Sequence, residues 1–597
     1  MKPSLGDFSE QDGEAMMGFA YAASSFANAM LKESSNWTWL ESHHEWWRAM
    51  PEDTDPLVKY PLTGNRCLLI PIASAGQASV YRCYQSWWYA SKTSLKPIGL
   101  VQAAQLLCQE GLDREEEQQA AVLPSRVQQS VSEVQKLMER RRLNDVFSVT
   151  SNFIDSDQAL LGGHPSHPCP RAKGGFSDQD SVTYSPEHQG KFALRWLAVA
   201  PSVVFSECRG ESLERRLWSI VESDAELTGL SKRDFGADLP WPLHPWQAEK
   251  LLQEPRVKQL ISDGLIRDFG ERGDVWTATS SLRCIYRRNS PYMLKYSLSV
   301  QLTNSVRHLL PHEVERGLQV VDVWDSELGR AFSERYPSFS VIREPAWLAL
   351  KDENGQPMIN TITVLRDNLF TEGHDQQVFM LGSLCQLPPA GKTSQLANII
   401  KAKATLEKTS VDVAARDWYQ RFLMVALEPL LMAQAEEGLL FGAHQQNTLL
   451  KLRDFNPDHF YYRDCQGTGF SALGVQRHQT VVAAFADNRN QLNETMANNL
   501  FSYYLVVNTL FATVAAISQD GLLNESELLT STHQFIDELR RRNPKDTSCL
   551  DMLLESDFLH VKGNLLCSLR DTNENTMTNP LELYLPLNNP LKLSRSA

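Results

Sequence analysis

The sequence predicts an α+β multidomain protein. A mostly helical segment spans residues 1–160, a mixed segment with an antiparallel sheet spans 161–395, and a mostly helical segment spans 396–597. Three observations predict this. At 597 residues the chain exceeds one ordinary core. Apolar residues recur at helical spacing near both ends, and strand-like runs occupy the middle.

Taken in order, residues 10–60 read as helical and Trp-rich ("WTWLESHHEWWRAM"), and "CLLIPIA", Cys67–Ala73, reads as a buried strand. Helical patterns continue to about Asn144, with Val127, Val131, Val134 and Met138 on one face. A Gly/Pro/His-rich loop over 162–176 ends the pattern. The runs "FALRWLAVAP", "VWTATSSLRCIYR", "YMLKYSLSVQLT" and "TITVLRDNLF" then read as strands. From about 395 "ANIIKAKATLEK" and "DWYQRFLMVALEPLLMAQAEEGL" return to helix.

A net charge of −14 and a pI near 5.6 exclude a nucleic-acid footprint, though not a local cationic cleft. No apolar run is read as long enough to span a bilayer, and the N-terminus lacks a basic signal-peptide start. Ten scattered Cys with no CxxC pair suit free thiols. The expectation is a cytoplasmic protein without membrane or nucleic-acid partners.

Three stretches carry chemistry. In "GGHPSHPCPRAKGGF", Gly162 to Phe176, HxxHxC lacks paired zinc spacing. His164, His167, Arg171 and Lys173 read better as donors to an anionic, oxygen-rich ligand, with a plain surface loop as the alternative. In "TSSLRCIYRRNSPYMLKYSLSVQLTNSVRHL", alternation places Leu294, Tyr296, Leu298, Val300 and Leu302 on one strand face. Lys295, Ser297, Ser299, Gln301 and Thr303 take the other. Ser281 and Arg283 are expected on the preceding strand. Thr303 or Asn304 is expected to cap a helix whose first turn holds Arg307. Together these residues form a cationic cradle for polyphosphate or polycarboxylate, or else a solvated strand face.

The third stretch is "FGAHQQNTLLKLRDFNPDHFYYRDCQG", Phe441 to Gly467. His444, Gln446, Asn447 and Asp464 read as nucleotide and metal binding, with Asp464 on Mg²⁺ or a basic partner. A buried polar network is the alternative. A phosphotransferase would need an Asp base in the loop before the Asn, and "AHQQN" has none. Neither GxGxxG nor GxxxxGK[ST] occurs. Cationic side chains in place of a Gly-rich loop suit attack of a carboxylate on ATP better than a kinase reaction.

At these residues the chain resembles the NRPS-independent siderophore synthetases of the IucA/IucC (aerobactin synthetase-like) family, over roughly 160–590. The matching blocks are the His164–Lys173 loop, "HPWQ" at His244–Gln247, Ser281-x-Arg283, and Lys295 running into Thr303 and Arg307. His444–Leu450, Arg463-Asp464-x-x-Gly467, and Lys562, Asn564 and Arg570 complete them. The resemblance implies a cupped hand of thumb, fingers and palm, with the sheet in the fingers and a mostly helical palm. It implies a homodimer engaged in iron acquisition, and ATP- and Mg²⁺-dependent adenylation of citrate or a similar acid followed by attack of an amine or alcohol.

By motif it assigns Ser281, Arg283, Lys295, Gln446, Asn447 and Asp464 to ATP, with Asp464 on Mg²⁺. It assigns His164, His167, Lys173, Thr303, Arg307, His444, Lys562 and Arg570 to substrate, and Arg307, His444 and Lys295 to catalysis. Three positions depart from the family pattern: Cys284 for Thr, Gly442 for Glu, and the inverted order Arg171-x-Lys173. A siderophore-binding or reductase-like protein is the non-enzymatic alternative, and it would need clustered Cys for an iron–sulfur centre.

Overall fold

The computed structural model describes residues 10–51, 54–110, 122–227, 230–303, 305–388, 391–482, 491–570, 572 and 580–593. The alternating runs of the middle segment form an eight-stranded sheet in which every neighbouring pair is antiparallel. Its order is Val204–Cys208, Ala346–Leu350, Thr363–Asp367, Tyr292–Tyr296, Cys284–Tyr286, Ile266–Ala278, Lys191–Val199 and Leu239–Leu243. Period-two burial is clear in Lys191–Val199, where Phe192, Leu194 and Trp196 turn inward. Ala346–Leu350 is buried on both faces: Leu348 joins the main sheet core, and Trp347 packs with Val314 and Leu318 of the helix Pro311–Trp324.

The first segment needs amending. A helix, Glu10–Lys32, is followed by a five-stranded antiparallel sheet over 38–98, and helices Leu100–Cys108 and Val122–Arg140 pack with it. The Trp-rich stretch is not one helix. Leu57–Leu62 and Arg66–Pro71 form a hairpin whose turn holds Gly64 and Asn65 at φ 69° and 58°. Left-handed Gly-Asn turns twist with the strands they join, and the short alternation before this one was hidden by its aromatic flank.

The last segment surrounds a large apolar core with helices, and the hairpin Thr448–Arg453/Asn456–Tyr462 lies within it. Helical turns run without a break over Glu494–Ser518, which is long and apolar enough to cross a membrane, contrary to the expectation that no run reaches that length. Its most apolar window is 78% buried inside the fold, as befits a core helix. Tyr503–Leu510 within it is wound as π-helix, freeing backbone groups toward the neighbouring loop.

The "HPWQ" block acts as scaffold. Gln247 donates to Ser299 Oγ (3.2 Å) and the Asn360 carbonyl (2.9 Å) and accepts the Ser299 amide (2.9 Å), tying its helix to the strand Leu298–Leu302. His244 is fully buried among Tyr184, Phe192 and Tyr296, and neither ring nitrogen has a partner among the described residues. Burial lowers its pKa to about 3. The unfolded chain therefore takes up a proton below its ordinary pKa of about 6.5 while the folded state does not, so stability falls as pH drops through that window. His244→Leu should shrink the loss of unfolding free energy between pH 7 and pH 5 by about 2 kcal/mol, measured by urea denaturation. An unchanged loss would contradict the neutral, unpartnered imidazole.

Candidate active site

Four charges, three buried and Asp464 partly exposed, sit where the large sheet meets the loop after the Thr448–Tyr462 hairpin. Lys295 and Arg366 stand on adjacent strands, opposite Val364 and Met293. Glu344 Oε1 accepts Arg366 Nε (2.9 Å) and Nη2 (2.6 Å) and pairs with Lys295 (3.2 Å). Asp464 Oδ1 pairs with Lys295 and with Arg366 Nη2 at 3.2 Å. Burial alone would raise the Asp464 pKa, but Lys295, Arg366 and Arg283 hold it well below the usual carboxylate range. Lys295 thus faces an internal ion network rather than an open strand face. Cys284, the departure from Thr, accepts a long contact from Arg366 Nη1 at 3.6 Å.

Ser281 and Arg283 lie in the turn entering Cys284–Tyr286, not on the strand expected for them. Leu282 at φ 66° reverses the chain, and Ser281 Oγ accepts the Cys284 amide at 3.2 Å. Arg307 is not in a helix. Thr303, at φ 53°, begins a tight reversal, and Ser305–Arg307 pairs back on Leu298–Leu302. Asn304 lies outside the described residues. The helix starts at Pro311, with Glu313 accepting the Leu310 amide, so Pro311 and Glu313 carried the start signal and Arg307 lies ahead of the helix rather than in its first turn. The turn fixes the guanidinium instead: Arg307 Nη2 donates to Thr303 Oγ1 (2.7 Å) and the Leu302 carbonyl (3.2 Å). Its buried Nε has no partner among the described residues. Burial, then Arg283, lowers its pKa to about 10, so it stays cationic at neutral pH.

The two histidine loops meet this cation. His164 Nδ1 accepts the Ser166 amide at 3.1 Å, and His444 Nδ1 accepts the Gln446 amide at 3.3 Å. Burial, followed for His164 by its neighbour His444, lowers the His164 pKa to about 3; burial lowers that of His444 to about 4. A neutral ring whose Nδ1 accepts must carry its proton on Nε2, so each presents an N–H donor. Lys562 and Arg307 act electrostatically on both rings, and Lys32 on His164. The π-helical segment supports the second loop: Thr509 Oγ1 donates to the Ala443 carbonyl (2.7 Å), Gln445 donates to the Asn508 carbonyl, and Tyr504 lies 5.8 Å from the His444 ring.

Gln446 and Asn447 partly fulfil the polar-network alternative. Gln446 donates to the Ser280 carbonyl (2.8 Å) and Asn447 to the Gly442 carbonyl (3.3 Å). Arg463 binds Asp157 (2.6 Å), Ser280 Oγ (2.9 Å) and the Gln446 carbonyl, locking the two loops together. A Cβ at Gly442 would meet the Gly467 carbonyl at 2.8 Å, so a glutamate there requires the backbone to shift.

Not every expected ligand reaches the cleft. Lys173 is 5% exposed and pairs with Glu187 (2.5 Å) and Glu133 (3.2 Å), while Arg171 pairs with the same Glu187 (3.1 Å). The loop's two cations therefore brace it from beneath. His167 is buried, its Nδ1 accepting the Cys169 amide. Arg570 is exposed at the end of the helix Asn564–Arg570. Residues not singled out from the sequence are Lys32, Ser166, Asp157, Glu344 and Arg366. For the last two the signal was a charge inside an otherwise buried run.

Residues 152–386 match the IucA / IucC family, and 416–578 match the family described as ferric iron reductase FhuF-like transporter. The chain is 32% identical to the N(2)-citryl-N(6)-acetyl-N(6)-hydroxylysine synthase of Escherichia coli, over 96% of this chain and 97% of that protein. It is 30% identical to the spermidine-citrate ligase of Bacillus anthracis, over 79% of each. The ATP-bound aerobactin synthetase IucA from a hypervirulent pathotype of Klebsiella pneumoniae superposes with a TM-score of 0.87 at 30% identity, covering 96% of this chain and all of that one. The family match over residues 152–386, one mixed α/β fold and near full-length similarity converge: the chain belongs to the IucA/IucC family of siderophore synthetases.

Proposed function

We propose that the protein is an ATP-dependent, AMP-forming ligase that adenylates a carboxylate of citrate, or a citrate-like acid, and condenses it with an amine or alcohol for siderophore biosynthesis. The observation that carries this is the convergence of Arg307 and Lys562 with two neutral Nε2–H imidazoles beside the Lys295–Asp464 network. Two anions, ATP and a carboxylate, must be brought within bonding distance, and cationic donors offset their repulsion. In this reading Ser281, Arg283, Lys295, Gln446, Asn447 and Asp464 hold ATP. His164, Arg307, His444 and Lys562 orient the acid. One carboxylate oxygen attacks the α-phosphorus, pyrophosphate leaves, and the amine nitrogen then displaces AMP from the acyl carbon. Arg307 and His444 donate to the oxygens on which charge builds.

Among the described residues no group of three or more His, Cys, Asp or Glu is placed to hold a metal. Asp464 fits the other mode of Mg²⁺ binding, one carboxylate joined to phosphate oxygens, because its Oδ2 carries no hydrogen bond among the described residues. Bound there, Mg²⁺ would supply neutralisation of the departing pyrophosphate. The same reading places the chain in the cytoplasm as a homodimer, with residues 1–160, 161–395 and 396–597 as thumb, fingers and palm.

Citrate-dependent ATP–pyrophosphate exchange should appear without any acceptor, with AMP rather than ADP formed. ADP as the sole product would favour the phosphotransferase alternative. Arg307→Ala should lower exchange by about 10²–10³-fold, the loss typical of one preorganised donor, while ATP binds within about tenfold of wild type. Normal turnover would remove Arg307 from the site. The ¹⁵N resonances of His164 and His444 should report the Nε2–H tautomer and stay unchanged from pH 8 to pH 6. A midpoint near the ordinary imidazole value would contradict the half-buried, neutral rings.

A further inference from the structure

The first helix, Glu10–Lys32, is joined at its C-terminal end to two other segments by consecutive charged residues. Lys32 is 7% exposed, and its ammonium donates to Ser166 Oγ at 3.1 Å. Glu33, the next residue, accepts the Leu565 amide on Oε1 (2.8 Å) and the Leu566 amide on Oε2 (2.9 Å). These partners lie 134 and 532 positions away for Lys32 and for the first Glu33 bond, so only the folded chain brings them together.

Each partner stands close to a residue of the cleft. The Ser166 amide donates to His164 Nδ1 (3.1 Å), and the Ser166 carbonyl accepts Asn564 Nδ2 (2.7 Å). Leu565 and Leu566 follow Lys562, the last residue of the strand Phe558–Lys562. Between them, the Gly563 amide donates to the Leu583 carbonyl at 2.7 Å. Residues 562–566 are thus held by Leu583 on one side and by Glu33 and Ser166 on the other. The amides that open the helix Asn564–Arg570 have no acceptor within it, and a carboxylate matches them in charge as well as in direction. Two charge-assisted bonds to separate oxygens make a stiffer link than one neutral contact. Lys32 and Lys562 both act electrostatically on the His164 ring.

We infer that Lys32 and Glu33 are positioning residues that set the spacing between His164 and Lys562, and through it the affinity for the carboxylate substrate. They act through those two residues rather than on the substrate. Ser166 is the shared point, because its amide, hydroxyl and carbonyl serve His164, Lys32 and Asn564 in turn. If the Glu33 carboxylate is lost, the Lys562 segment is free to move against the imidazole. The Lys295–Asp464 pair and the Ser281–Arg283 turn are held by other contacts and stay in place. Binding of the acid should therefore respond to this clasp, and binding of ATP should not. This inference rests on the reading of His164 and Lys562 as groups that orient the acid.

The test is calorimetric binding of ATP and of citrate to the full chain, with the α,β-methylene analogue of ATP present in the citrate titrations to prevent turnover. Glu33→Gln keeps the shape but sets an amide N–H against one of the two backbone amides. It should weaken citrate roughly tenfold, as expected for one charge-assisted hydrogen bond, and leave ATP within about twofold. Lys562→Met should weaken citrate by itself. Adding Glu33→Gln to it should cost little more, because no ammonium is left for the clasp to place. Ser166→Ala removes only the acceptor of Lys32; it should weaken citrate and not ATP, and it keeps the test valid if Glu33→Gln does not fold. Equal losses for citrate and ATP, additive losses in the double variant, or unchanged citrate affinity in Glu33→Gln and Ser166→Ala overturn the proposal. Citrate-dependent pyrophosphate exchange by wild type separates the two readings. Exchange with citrate affinity intact in both variants removes only the clasp, whereas a citrate loss in the variants without wild-type exchange removes only the adenylation chemistry.

Discussion

The site depends on a neutral quartet of charges, buried Lys295 and Arg366 against buried Glu344 and partly exposed Asp464. Lys295 and Arg366 belong to the large sheet, whereas Asp464 follows the hairpin of the last segment. Removing any one member leaves an uncompensated charge in low dielectric, a loss of about 3–5 kcal/mol for a buried pair. The same pairs fix the distance between the Ser281–Arg283 turn and the His444 loop. Arg463 repeats the device beside them, joining Asp157 and Ser280 to the Gln446 carbonyl.

Against that frame the cleft is tuned by burial rather than by net charge. The chain carries −14 overall, yet Arg307 and Lys562 act on two imidazoles that burial keeps neutral, Lys32 acts on one of them, and Arg283 stands near Arg307. Neutral rings add donors without adding more repulsion to a crowded set of cations. Each ring is oriented by an amide of its own loop, two residues on, so the donor direction is set before any ligand arrives. Preorganisation of this kind is what electrostatic catalysis requires.

Much of this was legible in the sequence because it is local. The alternation of Leu294, Tyr296 and Leu298 identified extended chain, though the one strand expected there is divided into Tyr292–Tyr296 in the large sheet and Leu298–Leu302 in a three-stranded one. The His444–Asn447 block identified a loop entering a hairpin. What stayed hidden was set by chain reversals and long-range pairing. Thr303 resembles a helix cap until its left-handed φ turns the chain into a hairpin, and Gly64-Asn65 was masked by neighbouring tryptophans. Lys173 looked like a ligand because its partners, Glu133 and Glu187, lie on other elements. Lys32 ends an unremarkable helix, and only the fold brings it to Ser166, 134 positions away.

The central claim is that a substrate carboxylate oxygen attacks the α-phosphorus of ATP within this cationic cleft. Citrate labelled with ¹⁸O in its carboxylates, incubated with ATP and an accepted amine, tests it most directly by mass spectrometry of the products. One ¹⁸O per turnover should appear in the phosphate of AMP. Label recovered instead in inorganic phosphate, with unlabelled nucleotide, would contradict adenylation and require attack at the γ-phosphorus.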